Sequence, residues 1–225
     1  PVSCCSILKK SSITNELLDF LVIGSGPGGS IAVDGLHEAG FKTCLLESGN
    51  TSFKQEPIPF SYAEMLYKYK YSGVSSTLGN ASIAFVEGAT LGGGSEVNSG
   101  LYHRPPDCVL NKWESKFGLQ GLSDNEMKPY YQKIERDLKV NYAPPDLIPN
   151  ASLKLQEGAN NLNWSCQEVP RWHSYKEAGN PDGTRITMTE SFLNKYLTNG
   201  GLLYGNSKAE SVKQLDANKW AINVL

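Results

Sequence analysis

The sequence predicts an α/β fold built on a parallel sheet, and three observations predict it. A short apolar run, Phe20–Ile23, ends on the glycine cluster Gly24-Ser25-Gly26-Pro27-Gly28-Gly29. Small and apolar residues then recur at helical spacing (Ile31, Ala32, Gly35, Leu36, Ala39) up to Gly40, a natural helix stop. A second apolar run, Thr43–Leu46, follows and ends on Glu47. Short continuous apolar runs are the pattern of parallel strands buried on both faces, so both runs are expected in the core.

Bulk composition agrees with a soluble globular chain. It has 225 residues, 40% hydrophobic and 20% charged, with a formal net charge of −2, enough for one large domain or two small ones. Near-neutral balance argues against a nucleic-acid partner, whose footprint is a basic excess. The nearest thing to one, "YKYKY" at Tyr67–Tyr71, reads as a half-exposed strand or helix face. No apolar run approaches the ~20 residues of a membrane helix. The N-terminal stretch lacks the apolar core of a signal peptide, so a cytoplasmic location is one expectation and the compartment is otherwise left open. Five cysteines (Cys4, Cys5, Cys44, Cys108, Cys166) are odd in number with no C-x-x-C pair, so reduced thiols and no metal site are expected, with Cys44 in the core. Four N-glycosylation sequons, at Asn50, Asn80, Asn150 and Asn163, carry little weight in a chain rich in Asn and Ser.

The strand–turn–helix–strand unit carries the first chemistry. Gly24, Gly26 and Gly29 fit G-x-G-x-x-G in the context that gives this motif its meaning. Gly24 allows the tight turn, Gly26 admits a pyrophosphate to the backbone, and Gly29 lets the helix pack closely. The helix N-terminus offers N–H groups and partial positive charge to phosphates. Glu47 ends the second strand, where a carboxylate accepts hydrogen bonds from ribose hydroxyls and repels the 2′-phosphate of NADP. FAD and NAD both remain open at this motif.

The stretch "GATLGGGSEVNSGLYHRPP", Gly88–Pro106, holds a second glycine cluster. Its order of Gly88, Leu91, Gly92, Gly93, Gly94, Ser95, Val97, Asn98, Tyr102 and Pro105 resembles the flavin-side signature of the glucose–methanol–choline (GMC) family of oxidoreductases. The family has a basic or amide residue after the first glycine, where this chain has Ala89. Some members have a flavin-linking histidine before the Asn, where this chain has Val97, so non-covalent FAD is implied.

The resemblance implies a FAD-binding, Rossmann-like domain of the glutathione-reductase type with a discontinuous α+β substrate domain. Implied cofactor contacts are Gly24, Ser25, Gly26, Gly28, Gly29, Glu47 and Ser48 at the first cluster. At the second they are Gly88, Leu91, Gly92, Gly93, Gly94, Ser95, Asn98, Ser99 and Gly100. Ala209–Leu215 resembles the strand whose backbone meets the adenine near Val212, and "KWAINVL" reads as its hairpin partner. The expected organisation is a tail at 1–18, the FAD-binding domain at 19–140 with a lid-like segment at 53–85, the start of a substrate domain at 141–190, and a return at 191–225. The proline-rich run "YAPPDLIPN", Tyr142–Asn150, marks the expected crossing. Ser123 and Glu126 form a capping box, with Leu122 and Met127 as its staple; Pro129 is expected to restart a helix whose face is Tyr130, Ile134 and Leu138.

The implied activity is oxidation of a CH–OH group of an alcohol or sugar-like substrate, with oxygen or another electron acceptor. A hydroxynitrile lyase of the same fold and an inactive flavin-binding fragment are the alternatives. A nicotinamide dehydrogenase would share only the first motif, and no G-x-S-x-G elbow or H-E-x-x-H spacing points to a hydrolase. None of His37, read as surface, His103 and His173 matches the family's catalytic histidine, which is expected beyond Leu225.

Overall fold

A computed structural model describes residues 7–8, 17–51, 57–58, 61–175 and 183–225. Cys4, Cys5, most of the predicted tail and residues 53–56 and 59–60 of the lid-like segment lie outside the described residues. In chain order the elements are β1 (Ile7–Leu8), β2 (Phe20–Ile23), α1 (Pro27–Glu38), β3 (Thr43–Leu46), α2 (Tyr62–Lys68), β4 (Ser75–Ser76), β5 (Ala84–Phe85), α3 (Asp107–Phe117) and α4 (Asp124–Asp137). They continue as β6 (Val140–Asn141), α5 (Asn150–Asn161), β7 (Arg171–Ser174), β8 (Thr184–Arg185), α6 (Phe192–Thr198), β9 (Leu202–Tyr204), β10 (Ala209–Asp216) and β11 (Lys219–Val224). The chain divides into two compact units, Pro1–Asn98 with Thr187–Leu225, and Ser99–Ile186. The proline-rich run and Asn141 fall inside the second unit, which begins at Ser99.

The first unit carries a parallel sheet in the order β1-β9-β3-β2. β3 has neighbours on both sides, and none of Thr43, Cys44, Leu45 and Leu46 is more than 3% exposed. β2 pairs with β3 alone among the described residues, which leaves Phe20 41% and Ile23 54% exposed. The expectation of a fully buried strand at Phe20–Ile23 is corrected: an edge strand keeps one side open however apolar it is.

Helix α1 buries Ser30, Val33 and Asp34, not the predicted stripe, of which Ile31 is 36% exposed. The cause is α6, which packs on α1 and whose Phe192, Leu193, Tyr196 and Leu197 are all buried. Lys195 from α6 pairs with Asp34 at 3.1 Å and with Glu38. His37, expected at the surface, is half-buried in this seam: its ring meets Tyr196 edge-on at 5.2 Å, and its nitrogens lie 3.1 Å from the Asn199 carbonyl oxygen and 3.3 Å from Thr43 Oγ1. Tyr196 is wholly buried, and its hydroxyl donates to the Leu202 carbonyl at 2.9 Å and accepts from the Leu202 N–H at 3.0 Å, tying α6 to β9. β10 and β11 form the antiparallel hairpin read from the sequence, and Ala209, Ile222 and Val224 pack against Cys44, Leu46 and Tyr204.

The second unit joins α3, α4 and α5 to a three-stranded antiparallel sheet, β6-β7-β8. The Ser123–Glu126 capping box is formed, and α4 runs through Pro129 as one helix, without the predicted restart. The cap has already started the helix upstream, so the proline removes a single backbone bond near that end. Arg104 holds Glu135 with two hydrogen bonds of 2.7 and 2.8 Å, and the Tyr102 hydroxyl donates to the same carboxylate at 3.0 Å. Burial, then the hydrogen bond to Glu135 and its charge, pushes the Tyr102 phenol up to about 12.

Two outcomes follow from this packing. Tyr196→Phe strands the Leu202 N–H in a buried seam and is expected to cost about 1–3 kcal/mol, read by urea denaturation. In β7, burial and then the charges of Arg171 and Arg185 lower the pKa of His173. A lowered histidine pKa means that the unfolded chain binds the proton more readily, so this stability is complete above the ordinary value of about 6.5 and drains away as pH falls below it. The urea midpoint should therefore fall between pH 7 and pH 5, and His173→Gln should flatten that part of the profile.

Candidate cofactor site

The first glycine turn leaves β2 with Gly24 in the left-handed region, φ 91°, and its N–H donates to the Leu46 carbonyl at 2.8 Å. That bond lays the turn across the end of β3. Gly26 caps α1 without any side-chain bond, Pro27 takes the first helical position, and the first turn holds no acidic residue. The helix therefore presents main-chain N–H groups and its positive end with no side chain in front of them. A Cβ on Gly29 would collide with the Gly24 carbonyl oxygen, so this glycine is required by the turn itself. A Cβ on Gly26 or Gly28 would meet nothing within 4 Å.

Glu47 follows β3 and is only 6% exposed. Its Oε2 accepts from the Ser25 N–H at 2.8 Å and from the Ser25 hydroxyl, and its Oε1 accepts from the Gly49 N–H at 2.6 Å. Its backbone is held between the Tyr204 carbonyl at 2.9 Å and the Ser207 N–H at 2.8 Å. A carboxylate offers about four acceptor positions, so three donors leave one for a ligand hydroxyl. Ser48, beside it, is exposed.

The second glycine run is bound to this corner. Asn50 and Thr90 form a parallel bridge: the Asn50 N–H donates to the Ala89 carbonyl at 3.2 Å and the Leu91 N–H to the Asn50 carbonyl at 3.0 Å. Leu91 is buried at 7% exposure. Gly92, at φ 84°, opens a 3-10 turn, Gly93–Glu96, and donates its N–H to the Ser25 hydroxyl oxygen at 3.0 Å. A Cβ on Gly93 would stand 2.9 Å from Gly26 Cα, and one on Gly88 would collide with the Gly93 backbone. Gly94 is exposed with open space where a Cβ would be. Ser95 is wholly buried; its hydroxyl donates to the Gly92 carbonyl at 2.8 Å and accepts from the Met188 N–H at 3.0 Å. Glu96, 9% exposed, accepts from Thr189 Oγ1 at 2.7 Å.

The predicted residues are thus sorted by position. Gly24 to Gly29, Glu47, Ser48 and Gly88 to Asn98 share the first unit, and Asn98 is exposed with its N–H on the Gly94 carbonyl at 3.0 Å. Ser99 and Gly100 belong to the second unit, where Gly100, at φ 67°, leaves no room for a Cβ beside His173. Val212 lies on β10, 54% exposed, paired with Ile222. A cavity of about 700 Å³ in the second unit, lined by Gln132, Arg136, Lys139 and Tyr175 among others, contains none of the predicted residues. Sequence reasoning missed the use made of Ser25, Ser95 and Glu96. The available signal was polar side chains inside glycine runs, which must find partners once buried. Among the described residues no helix is long and apolar enough to cross a membrane.

Comparison with known proteins places this geometry. The family model described as GMC oxidoreductase matches residues 18–224. An uncharacterized GMC-type oxidoreductase of Sinorhizobium fredii is 26% identical over 212 residues, 90% of this chain and 42% of the relative. A long-chain-alcohol oxidase of Arabidopsis thaliana is 31% identical over 72% of this chain and 22% of the relative. Oxygen-dependent choline dehydrogenase of Rhizobium meliloti is 28% identical over 90% and 34%. Among solved structures, pyridoxine 4-oxidase from Mesorbium loti superposes with a TM-score of 0.71 at 17% identity, covering 93% of this chain and 46% of the other. An FAD-dependent oxidoreductase from Chaetomium thermophilum gives 0.66 at 16% identity, covering 92% and 44%. The chain spans less than half the length of each of these proteins. With the family model matched across almost the whole chain, and the parallel sheet in place beneath the two glycine turns, the chain belongs to the GMC oxidoreductase family.

Proposed function

We propose that this chain holds FAD, non-covalently, for the oxidation of a CH–OH group on a small alcohol or sugar-like substrate. The observation that carries the reading is the contact of Gly26 with Gly93, which joins the dinucleotide turn and the flavin-side signature in one corner of one unit. A nicotinamide cofactor has no use for the second turn. The open positions at Gly26, Gly28 and Gly94 fit a ligand that lies against the main chain. When bound, FAD supplies the hydride acceptor, and reoxidation falls to oxygen or another acceptor.

The chain's own residues have separate tasks. The uncapped start of α1 takes the pyrophosphate, with Gly26 and Gly28 admitting it. The remaining acceptor position on Glu47 takes a ribose hydroxyl, and the β10 backbone near Val212 takes the adenine. Gly92, Gly93, Gly94 and Ser95 set the turn that faces the flavin, with Gly88 and Leu91 packed behind it. Ser48, Asn98, Ser99 and Gly100 are assigned to the cofactor by the family resemblance alone. Val97 has no nucleophile for a covalent link. The relatives named as alcohol oxidases and a choline dehydrogenase support an alcohol substrate.

Purified protein is expected to be yellow, and acid denaturation is expected to release intact FAD into the supernatant. Colourless protein that binds NADH and ignores FAD would overturn the reading. Glu47→Ala removes charge-assisted hydrogen bonds worth about 1.5–3 kcal/mol each, and FAD affinity should fall by roughly one to two orders of magnitude in a fluorescence titration. Unchanged retention would make Glu47 a purely internal group.

A further inference from the structure

We infer that Ser25 is a positioning residue: its one hydroxyl locks Glu47 and the Gly92 turn together, so that the adenosine and flavin ends of the site are set as a unit. This rests on the FAD reading above. Ser25 has no exposed surface, and its N–H is already spent on Glu47. It therefore touches no ligand directly, although its place between two motif glycines would make it a contact residue by sequence.

The hydroxyl is used in both directions. Its proton goes to Glu47 Oε2, and its oxygen accepts the Gly92 N–H at 3.0 Å. The resulting run, amide to hydroxyl to carboxylate, is polarised one way along its length, and each bond strengthens the next. The Gly92 amide thus senses the Glu47 charge through a single oxygen atom. The partners lie 22 and 67 positions away in sequence, at the end of β3 and in the second glycine run. Ser30 is the contrast: equally buried, its hydroxyl donates at 2.6 Å to the Ser25 carbonyl, a local bond that reaches neither loop. Loss of the Ser25 oxygen would strand a buried N–H at Gly92 and take a donor from Glu47, while loss of the Ser30 oxygen would free only the Ser25 carbonyl and strand no N–H.

The test compares Ser25→Ala, Ser25→Thr, Ser30→Ala, Glu47→Gln and the Ser25→Ala/Glu47→Gln double variant. FAD affinity is read by fluorescence, the flavin environment by visible circular dichroism, and folding by thermal denaturation. Ser25→Ala should weaken FAD about tenfold and alter the flavin spectrum, while Ser30→Ala lowers the melting temperature but keeps Kd within about twofold. Ser25→Thr, which retains the hydroxyl, should recover most of the affinity. The double variant should be no weaker than the worse single, because both act on one network. Ser25→Ala behaving like Ser30→Ala, additive losses in the double variant, or Ser25→Thr binding no better than Ser25→Ala would each overturn the inference. If Ser25→Ala does not fold, Ser25→Thr and the spectrum decide; if neither folds, the residue is structural and the inference fails. Wild-type protein that binds no FAD would instead overturn the reading of the site, and the inference with it.

Discussion

The corner that carries the site depends on the burial of one carboxylate. A charge taken almost wholly from water must be met by donors, or it is expelled or protonated. Glu47 meets this demand with two main-chain N–H groups and one hydroxyl, all from chain that turns sharply around it. Gly49 is one donor, and a Cβ there would strike the Ala89–Thr90 backbone, so the segment leaving β3 is pressed against the start of the second glycine run. Ser25 supplies the other two, and it brings the first turn. With these contacts come the Asn50–Thr90 bridge and the seating of Gly93 on Gly26.

That geometry changes what the glycines mean. Their abundance invites the explanation that a ligand must approach the backbone, and at Gly26, Gly28 and Gly94 the space is there. At Gly29, Gly49, Gly88 and Gly93 the obstacle to a side chain is the protein's own main chain. Gly49 and Gly93 are spent on fitting the two glycine runs to each other, and Gly29 and Gly88 on closing each run on itself. A sequence cannot separate these two demands, since both ask for the absence of a Cβ.

What the sequence made legible was local or motif-bound. The strand–turn–helix–strand unit, the β10–β11 hairpin and the Ser123 cap each depend on neighbours within a few dozen residues, and all three formed. What it hid was set by partners far away. The apolar stripe of α1 was visible, yet α6 covers the opposite face because Lys195 finds Asp34 and Tyr196 finds His37 there. Periodicity reports which residues are apolar, not which face receives a cover. The same holds for β2, whose apolar residues lie on an edge. The change of unit at Ser99 leaves no mark in composition, and the proline run, which does, lies inside the second unit.

The second glycine turn has a structural duty that explains its polar residues. The chain leaves the first unit after Asn98 and returns at Thr187. Just before the exit, Ser95 accepts the Met188 N–H, and Glu96 accepts the Thr189 hydroxyl. The departing and returning segments are thereby stapled to each other within the first unit. Bringing the ends of a long insertion together carries an entropic cost that grows slowly with its length. Closing that loop at the turn itself places the constraint where rigidity is useful. The Gly92 carbonyl is held from one side by Ser95, and the Gly92 N–H from the other by Ser25. A residue held at both its backbone N–H and its carbonyl has little freedom left, so a ligand docking on this turn would find it already ordered.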